Sequence, residues 1–169
     1  ACDMESAVIL EWARAHGVPA AVVRGVSDTA DRGVPEDLAA VVEPAGWRPM
    51  GFEDNDLAWV SPHGHVISIN ATCTGHEDPQ LEVLTNHLVI GFTDREWVSK
   101  KKFQLDGRDA LRSLVRAKLD GVSRSLDLVV LKKNGCVHDF SYISPAGLEA
   151  EHQAEFDALV AGFRQERAP

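Results

Sequence analysis

Leu126-Asp127-Leu128-Val129-Val130-Leu131-Lys132-Lys133, then Asn134-Gly135, then Cys136-Val137-His138-Asp139-Phe140-Ser141-Tyr142-Ile143 is the stretch that decides the fold. Two apolar, β-branched and aromatic runs are joined by two residues. Asn-Gly accepts positive φ at both positions, as a type I′ turn requires. The stretch therefore predicts a tight hairpin. The same signal occurs twice upstream, at Asp106-Gly107 and Asp120-Gly121. Between those two turns, residues 108–119 fit two patterns. Leu111, Leu114, Val115 and Leu119 suit a helix, while Leu111, Val115 and Leu119 also suit a strand face. The flanking turns favour the strand.

Working outward, Leu57-Ala58-Trp59-Val60 and His65-Val66-Ile67-Ser68-Ile69 read as a strand pair around Ser61-Pro62-His63-Gly64. Asp78-Pro79 is expected to cap a helix running to about Ile90, with Leu81, Leu84 and Leu88 on one face and Gly91 after it. A last helix is expected over 149–163, with Phe156, Leu159, Val160 and Phe163 as its apolar stripe. The sum is an antiparallel meander with a helix near each end, an α+β domain.

Bulk properties suit one ordinary domain or two small ones: 169 residues, 44% hydrophobic, 25% charged. A chain of this length can bury a core without metal or disulfide support. Net charge is −9 and the pI about 5.2. That field argues against nucleic acid and anionic membrane surfaces as partners. No run reaches the length of a membrane span. The N-terminus lacks the basic-then-apolar order of a signal peptide. The expected location is the cytoplasm. The chain begins with Ala rather than Met, and the expectation is that its start is incomplete.

Residues 1–43 have a different texture from the rest. Residues 5–16 read as a helix that is apolar around most of its circumference, ended by Gly17. Ala20-Ala21-Val22-Val23 reads as a strand buried on both faces, as in a helix-covered parallel sheet. Residues 35–42 look helical, opened by Pro35. Residues 44–50 hold Pro44, Gly46 and Pro49 and read as a linker. The expected organisation is an α/β helix–strand–helix fragment over 1–43, the linker, and the α+β domain over 51–169.

Two pairs in the first segment carry chemistry. Met4-Glu5 opens the helix, and Ser27-Asp28 follows the Val22-Val23-Arg24 strand. Here the chain resembles the closing segment of the purine nucleoside phosphorylases and methylthioadenosine/adenosylhomocysteine nucleosidases. The resemblance covers residues 1–42, and it implies an α/β phosphorylase-type fold and N-glycosidic bond cleavage. It implies that Met4 packs against the ribose and that Glu5 accepts hydrogen bonds from the ribose hydroxyls. It makes Asp28 the general acid beside the departing purine, where a positioned proton donor stabilises the leaving group, with Ser27 at the base edge. The same residues also have a plain structural reading: an acid favoured at a helix start and a Ser-Asp-Thr turn.

The family's phosphate or water site and its base-stacking aromatic lie upstream of the Met-Glu pair, where this sequence has only three residues. The expectation is therefore the C-terminal part of such an enzyme fused to an accessory domain and inactive as it stands. A purine nucleoside is the partner only if the missing part is supplied. A homo-oligomer is compatible with the sequence. No cofactor is implied.

Residues 51–169 resemble an uncharacterised bacterial domain through Leu105–Leu111, Leu119–Val122 and Lys132–Asp139. Their element order is similar to the Mog1/PsbP-type sandwich. That resemblance implies the alternative function, a non-enzymatic binding or accessory module. His63, His65, Cys73 and His76 fall close enough to supply zinc ligands. Their plain reading, three exposed histidines and a buried thiol, is preferred, so no metal site is assigned. A Cys73–Cys136 disulfide is a second option and requires export. Lys100-Lys101-Lys102 suits a solvated or edge strand rather than a nucleic-acid site.

Overall fold

The computed structural model describes residues 46–50, 57–73 and 78–165. The expected elements within 1–43, and with them Met4, Glu5, Ser27 and Asp28, lie outside the described residues. In chain order the elements are β1 (Arg48–Pro49), β2 (Leu57–Val60), β3 (Val66–Thr72), α1 (Leu81–His87), β4 (Thr93–Leu105), β5 (Arg108–Leu119), β6 (Val122–Lys133), β7 (Cys136–Pro145) and α2 (Gln153–Gly162).

The strands form one sheet in the order β1-β2-β3-β7-β6-β5-β4, antiparallel throughout. The chain enters at one edge and reaches the middle at β3. It then crosses through α1 to the far edge and meanders back until β7 closes against β3. All three two-residue turns take the I′ conformation. Asp106, Asp120 and Asn134 have φ of 48°, 50° and 51°, and their glycines 73°, 80° and 79°. Each turn therefore fixes the register of its hairpin: Leu105 faces Arg108, Leu119 faces Val122 and Lys133 faces Cys136. Residues 108–119 are a strand, as the turns required.

Side chains alternate along β6 between two cores. Leu126 and Leu128 join Val89, Val115 and Ala117 beneath the end of α1. Val129 and Leu131 join Trp59, Ile69, Phe140 and the apolar stripe of α2 on the other face. The α2 stripe is the expected one: Phe156, Leu159, Val160 and Phe163 are all buried. A sheet packed on both faces explains why β6 reads as a nearly continuous apolar run.

Four expectations change. Trp47 and Arg48-Pro49 fall in the segment read as a linker, yet Trp47 is 2% exposed within the α2-side core. Arg48 and Pro49 pair with Val60 and Trp59. Asp78-Pro79 does not cap α1; Gln80 holds that position. Lys132 Nζ binds the Pro79 carbonyl at 2.8 Å and pairs with Asp78, which holds this segment against β6 instead. The helix also stops at His87, short of Ile90. The last helix starts four residues later than expected, at Gln153, because Glu151 and His152 are engaged elsewhere.

Lys100, Lys101 and Lys102 lie exposed on β4, the edge strand. Lysines along an unpaired edge discourage docking of a further strand. Irregularities between Thr93 and Ser99 bend the same edge.

Under the β4–β5 turn, Asp106 is held by Lys133 and by the Gln165 backbone N–H at 2.8 Å. Burial pushes its carboxyl up, but the bonds from Lys133 and Gln165 outweigh that, and it titrates below its ordinary value of 3.8. A depressed carboxylate stabilises the fold above its unfolded pKa, and that contribution is lost as pH falls through the folded value. Asp106→Asn keeps a residue that tolerates the turn. It is expected to cost about 1–2 kcal/mol near neutrality and to flatten the loss of stability below about pH 4. Urea midpoints measured from neutral pH down to about pH 2 check this. Parallel pH profiles for the two proteins would contradict it.

Candidate functional site

Two polar clusters among the described residues lie beside α2. The first is at its N-terminal end. The β2–β3 turn carries His63 outward and His65 inward, with Gly64 at φ 79° between them. The His65 N–H donates to Ser61 Oγ at 3.1 Å, which sets the ring direction from below. His65 is 0% exposed. Its ring stacks on Tyr142 of β7 at 5.8 Å and meets the His152 ring edge-on at 4.8 Å. Trp47 closes the other side of His152 at 4.9 Å.

Hydrogen bonds tie the group together. His65 Nδ1 lies 2.9 Å from the Tyr142 hydroxyl, and Nε2 lies 3.0 Å from Glu151 Oε2. The second carboxylate oxygen of Glu151 is 2.7 Å from His63 Nδ1. The His152 backbone N–H donates to the Tyr142 hydroxyl at 3.3 Å, and its Nδ1 lies 3.0 Å from Glu155 Oε1. One consistent arrangement has the Tyr142 O–H donating to His65 Nδ1, so that Nε2–H donates to Glu151. Hydrogen bonds from His63 and His65 hold the Glu151 carboxyl below the usual carboxylate range. Burial pushes the Tyr142 phenol up to about 12, and the charges of Glu151, Glu155 and Glu149 add to that. Tyr142 therefore remains a neutral hydroxyl at any physiological pH.

The second place is further along α2. Arg112 on β5 donates from Nε to Asp127 Oδ1 at 2.9 Å and from Nη2 to Oδ2 at 2.6 Å, a bidentate pair. Nη2 also reaches Asp157 at 2.5 Å, and Gln153 donates to Asp127 at 3.0 Å. The Asp127 bonds, ahead of those to Asp157, hold Arg112 firmly protonated against its partial burial. A groove of about 520 Å³ opens alongside, with Phe103, Leu105 and Val160 as apolar walls and Arg112, Asp157 and Arg164 as polar ones.

The sequence-level metal set does not assemble. Cys73 is bonded to Cys136, with 4.1 Å between their Cα atoms. Disulfide sulfurs are not thiolate ligands. His76 lies outside the described residues. His63 is exposed, as the plain reading expects, but His65 is fully buried and not a surface histidine. The β2–β3 turn sends His63 and His65 to the two oxygens of one carboxylate. Glu151 and His152 were missed because they sit in what reads as the first turn of the last helix.

No family model matches the chain, and no curated protein matches it. Solved structures do. A protein of unknown function from Pseudomonas aeruginosa is similar at 11% identity and a TM-score of 0.52, over 68% of this chain and 76% of that one. PsbP of the cyanobacterium Synechocystis is similar at 12% identity and 0.52, over 69% and 80%. LpqN of Mycobacterium tuberculosis, described as involved in cell envelope biogenesis, is similar at 14% identity and 0.54, over 69% and 76%. At these identities the likeness shows the fold alone. It is a PsbP-like α+β fold, the architecture expected for the second segment. The comparisons lend the phosphorylase resemblance no support.

Proposed function

We propose that the chain acts through residues 46–165 as a non-catalytic binding or accessory module, and that it works in an oxidising compartment. The observation that carries the first part is how its interior charges are spent. Arg112 is locked to Asp127 and Asp157, and Lys133 to Asp106. Groups paired in this way stabilise a scaffold. A general acid or base must instead turn a titrating atom towards substrate. The PsbP-like fold supports the same reading by analogy of architecture.

The compartment rests on the disulfide. Cys73 continues the register in which Thr72 faces Val137, so it stands opposite Cys136 across the β3–β7 ladder. Disulfides persist in secreted, periplasmic and envelope proteins and are rare in the reducing cytoplasm. This reading favours an oxidising compartment over the expected cytoplasm, and the envelope role described for LpqN suits it.

The test compares the whole chain with its Asp28→Asn variant on a panel of purine nucleosides, with phosphate or water as acceptor. The module reading expects no cleavage above background from either protein. Cleavage by the unchanged chain that disappears with Asp28→Asn would overturn it and restore the nucleosidase reading.

A further inference from the structure

We infer that His65, Glu151 and His152 form a site for a divalent transition-metal ion of the zinc type, independent of the module reading above. Each offers one ligand atom, and these atoms all lie within 4.8 Å of one another. Ligands sharing one zinc at about 2.0–2.1 Å sit roughly 3.3 Å apart in tetrahedral geometry. His65 Nε2 and Glu151 Oε2, at 3.0 Å, are already near that spacing. The remaining approach needs only rotation of Glu151 and His152, which are exposed and half-buried respectively. Two imidazoles and one carboxylate suit zinc, cobalt or nickel and not the all-oxygen preference of calcium or magnesium.

The surroundings fit a ligand set. A metal-binding histidine is held by a hydrogen bond on its other nitrogen. His65 has that bond, from Nδ1 to the Tyr142 hydroxyl. Binding replaces the Nε2 proton by the ion. The neutral ring then carries its proton on Nδ1 and donates it to the Tyr142 oxygen. A hydroxyl can serve both states because it donates in one and accepts in the other. Tyr142 also receives the His152 backbone N–H, so one side chain braces both histidines. The start of α2 is the positive end of a helix and opposes a cation. Glu151 and Glu155, which lie at hydrogen-bond distance from His65 and His152, supply the compensating negative charge. His63 binds the outer oxygen of Glu151 but is not within the group of three.

The ion would clip the β2–β3 turn to the segment before α2, which the apo hydrogen bonds hold more weakly. The experiment uses the whole oxidised chain in a Cys2→Ser background, so that no free thiol competes. After chelation and dialysis, zinc is titrated calorimetrically, and cobalt is added separately for its visible bands. We expect one equivalent bound, cobalt bands of a low-coordinate nitrogen–oxygen site, and a rise in Tm with zinc. Glu151→Gln and His152→Ala should each weaken binding at least about tenfold, while His87→Ala, on α1, should not. Both site positions reach solvent, so neither change should unfold the protein, and far-ultraviolet circular dichroism checks that. Absence of stoichiometric zinc binding would overturn the inference. So would unchanged affinity in folded Glu151→Gln and His152→Ala.

Discussion

Trp47→Ala is expected to destabilise the protein by about 3–5 kcal/mol, the range for deleting a large buried aromatic side chain. Trp47 is among the largest fully buried side chains and belongs to the same core as Trp59, Phe140, Phe156 and Phe163. Removing it leaves a cavity and strips one wall from His152. The smaller packing of a two-residue strand cannot refill that space. Truncation gives the same result by a different route. A chain of residues 51–169, cut where the sequence texture changes, lacks Trp47 and β1. Residues 46–169 keep both. Denaturant unfolding followed by tryptophan fluorescence and circular dichroism should show the longer piece folding cooperatively and the shorter one shifted to a clearly lower midpoint. A cost below about 1 kcal/mol for Trp47→Ala, the range of a surface change, would show that Trp47 is not part of the core.

That joint marks where the sequence stopped being informative. Asp106-Gly107, Asp120-Gly121 and Asn134-Gly135 announced their turns because few residues tolerate positive φ, and each turn then dictated a register. Turn chemistry also resolved residues 108–119, whose apolar spacing alone did not. The stripe of α2 was legible for the same local reason. β1 was not. Two residues, one of them proline, carry no periodicity, and Pro49 at the sheet edge looks like a linker residue. The order of strands was equally hidden, because β3 and β7 meet only after four intervening elements. The histidine–carboxylate group depends on that meeting. His65 and Glu151 are 86 positions apart, and His65 and Tyr142 are 77 apart. The histidines and cysteine that lie close in sequence, His63, Cys73 and His76, are not where this group draws its carboxylate. The neighbour that mattered, Glu151, carried no signal, since an acid before an amphipathic stretch is the ordinary way for a helix to begin. The phosphorylase resemblance belongs to residues 1–42, and the described structure does not reach it.

Loss of the Cys73–Cys136 bond is the second large effect. The bridge closes a loop spanning a sequence separation of 63. Loop-closure entropy for a ring of that size corresponds to about 4 kcal/mol, with about 2–4 kcal/mol typically measured. The pair extends a ladder already set by Thr72 and Val137. The bond also sits next to the Asn134-Gly135 turn, so it ties the sheet's two halves together where β7 begins. Reduction of the unchanged chain and the Cys73→Ala, Cys136→Ala double change are therefore expected to lower stability by similar amounts, about 2–4 kcal/mol. The single change Cys136→Ser should cost somewhat more, since it leaves a hydroxyl in a buried position without an assured partner. Chemical denaturation with and without reductant measures all three. If reductant leaves the midpoint of the unchanged chain where it was, the bond does not form, and the oxidising compartment loses its support. Mass spectrometry of protein taken from its native cells, with thiols blocked on lysis, gives the complementary answer. The proposed oxidising compartment requires Cys73 and Cys136 to be recovered as a linked pair.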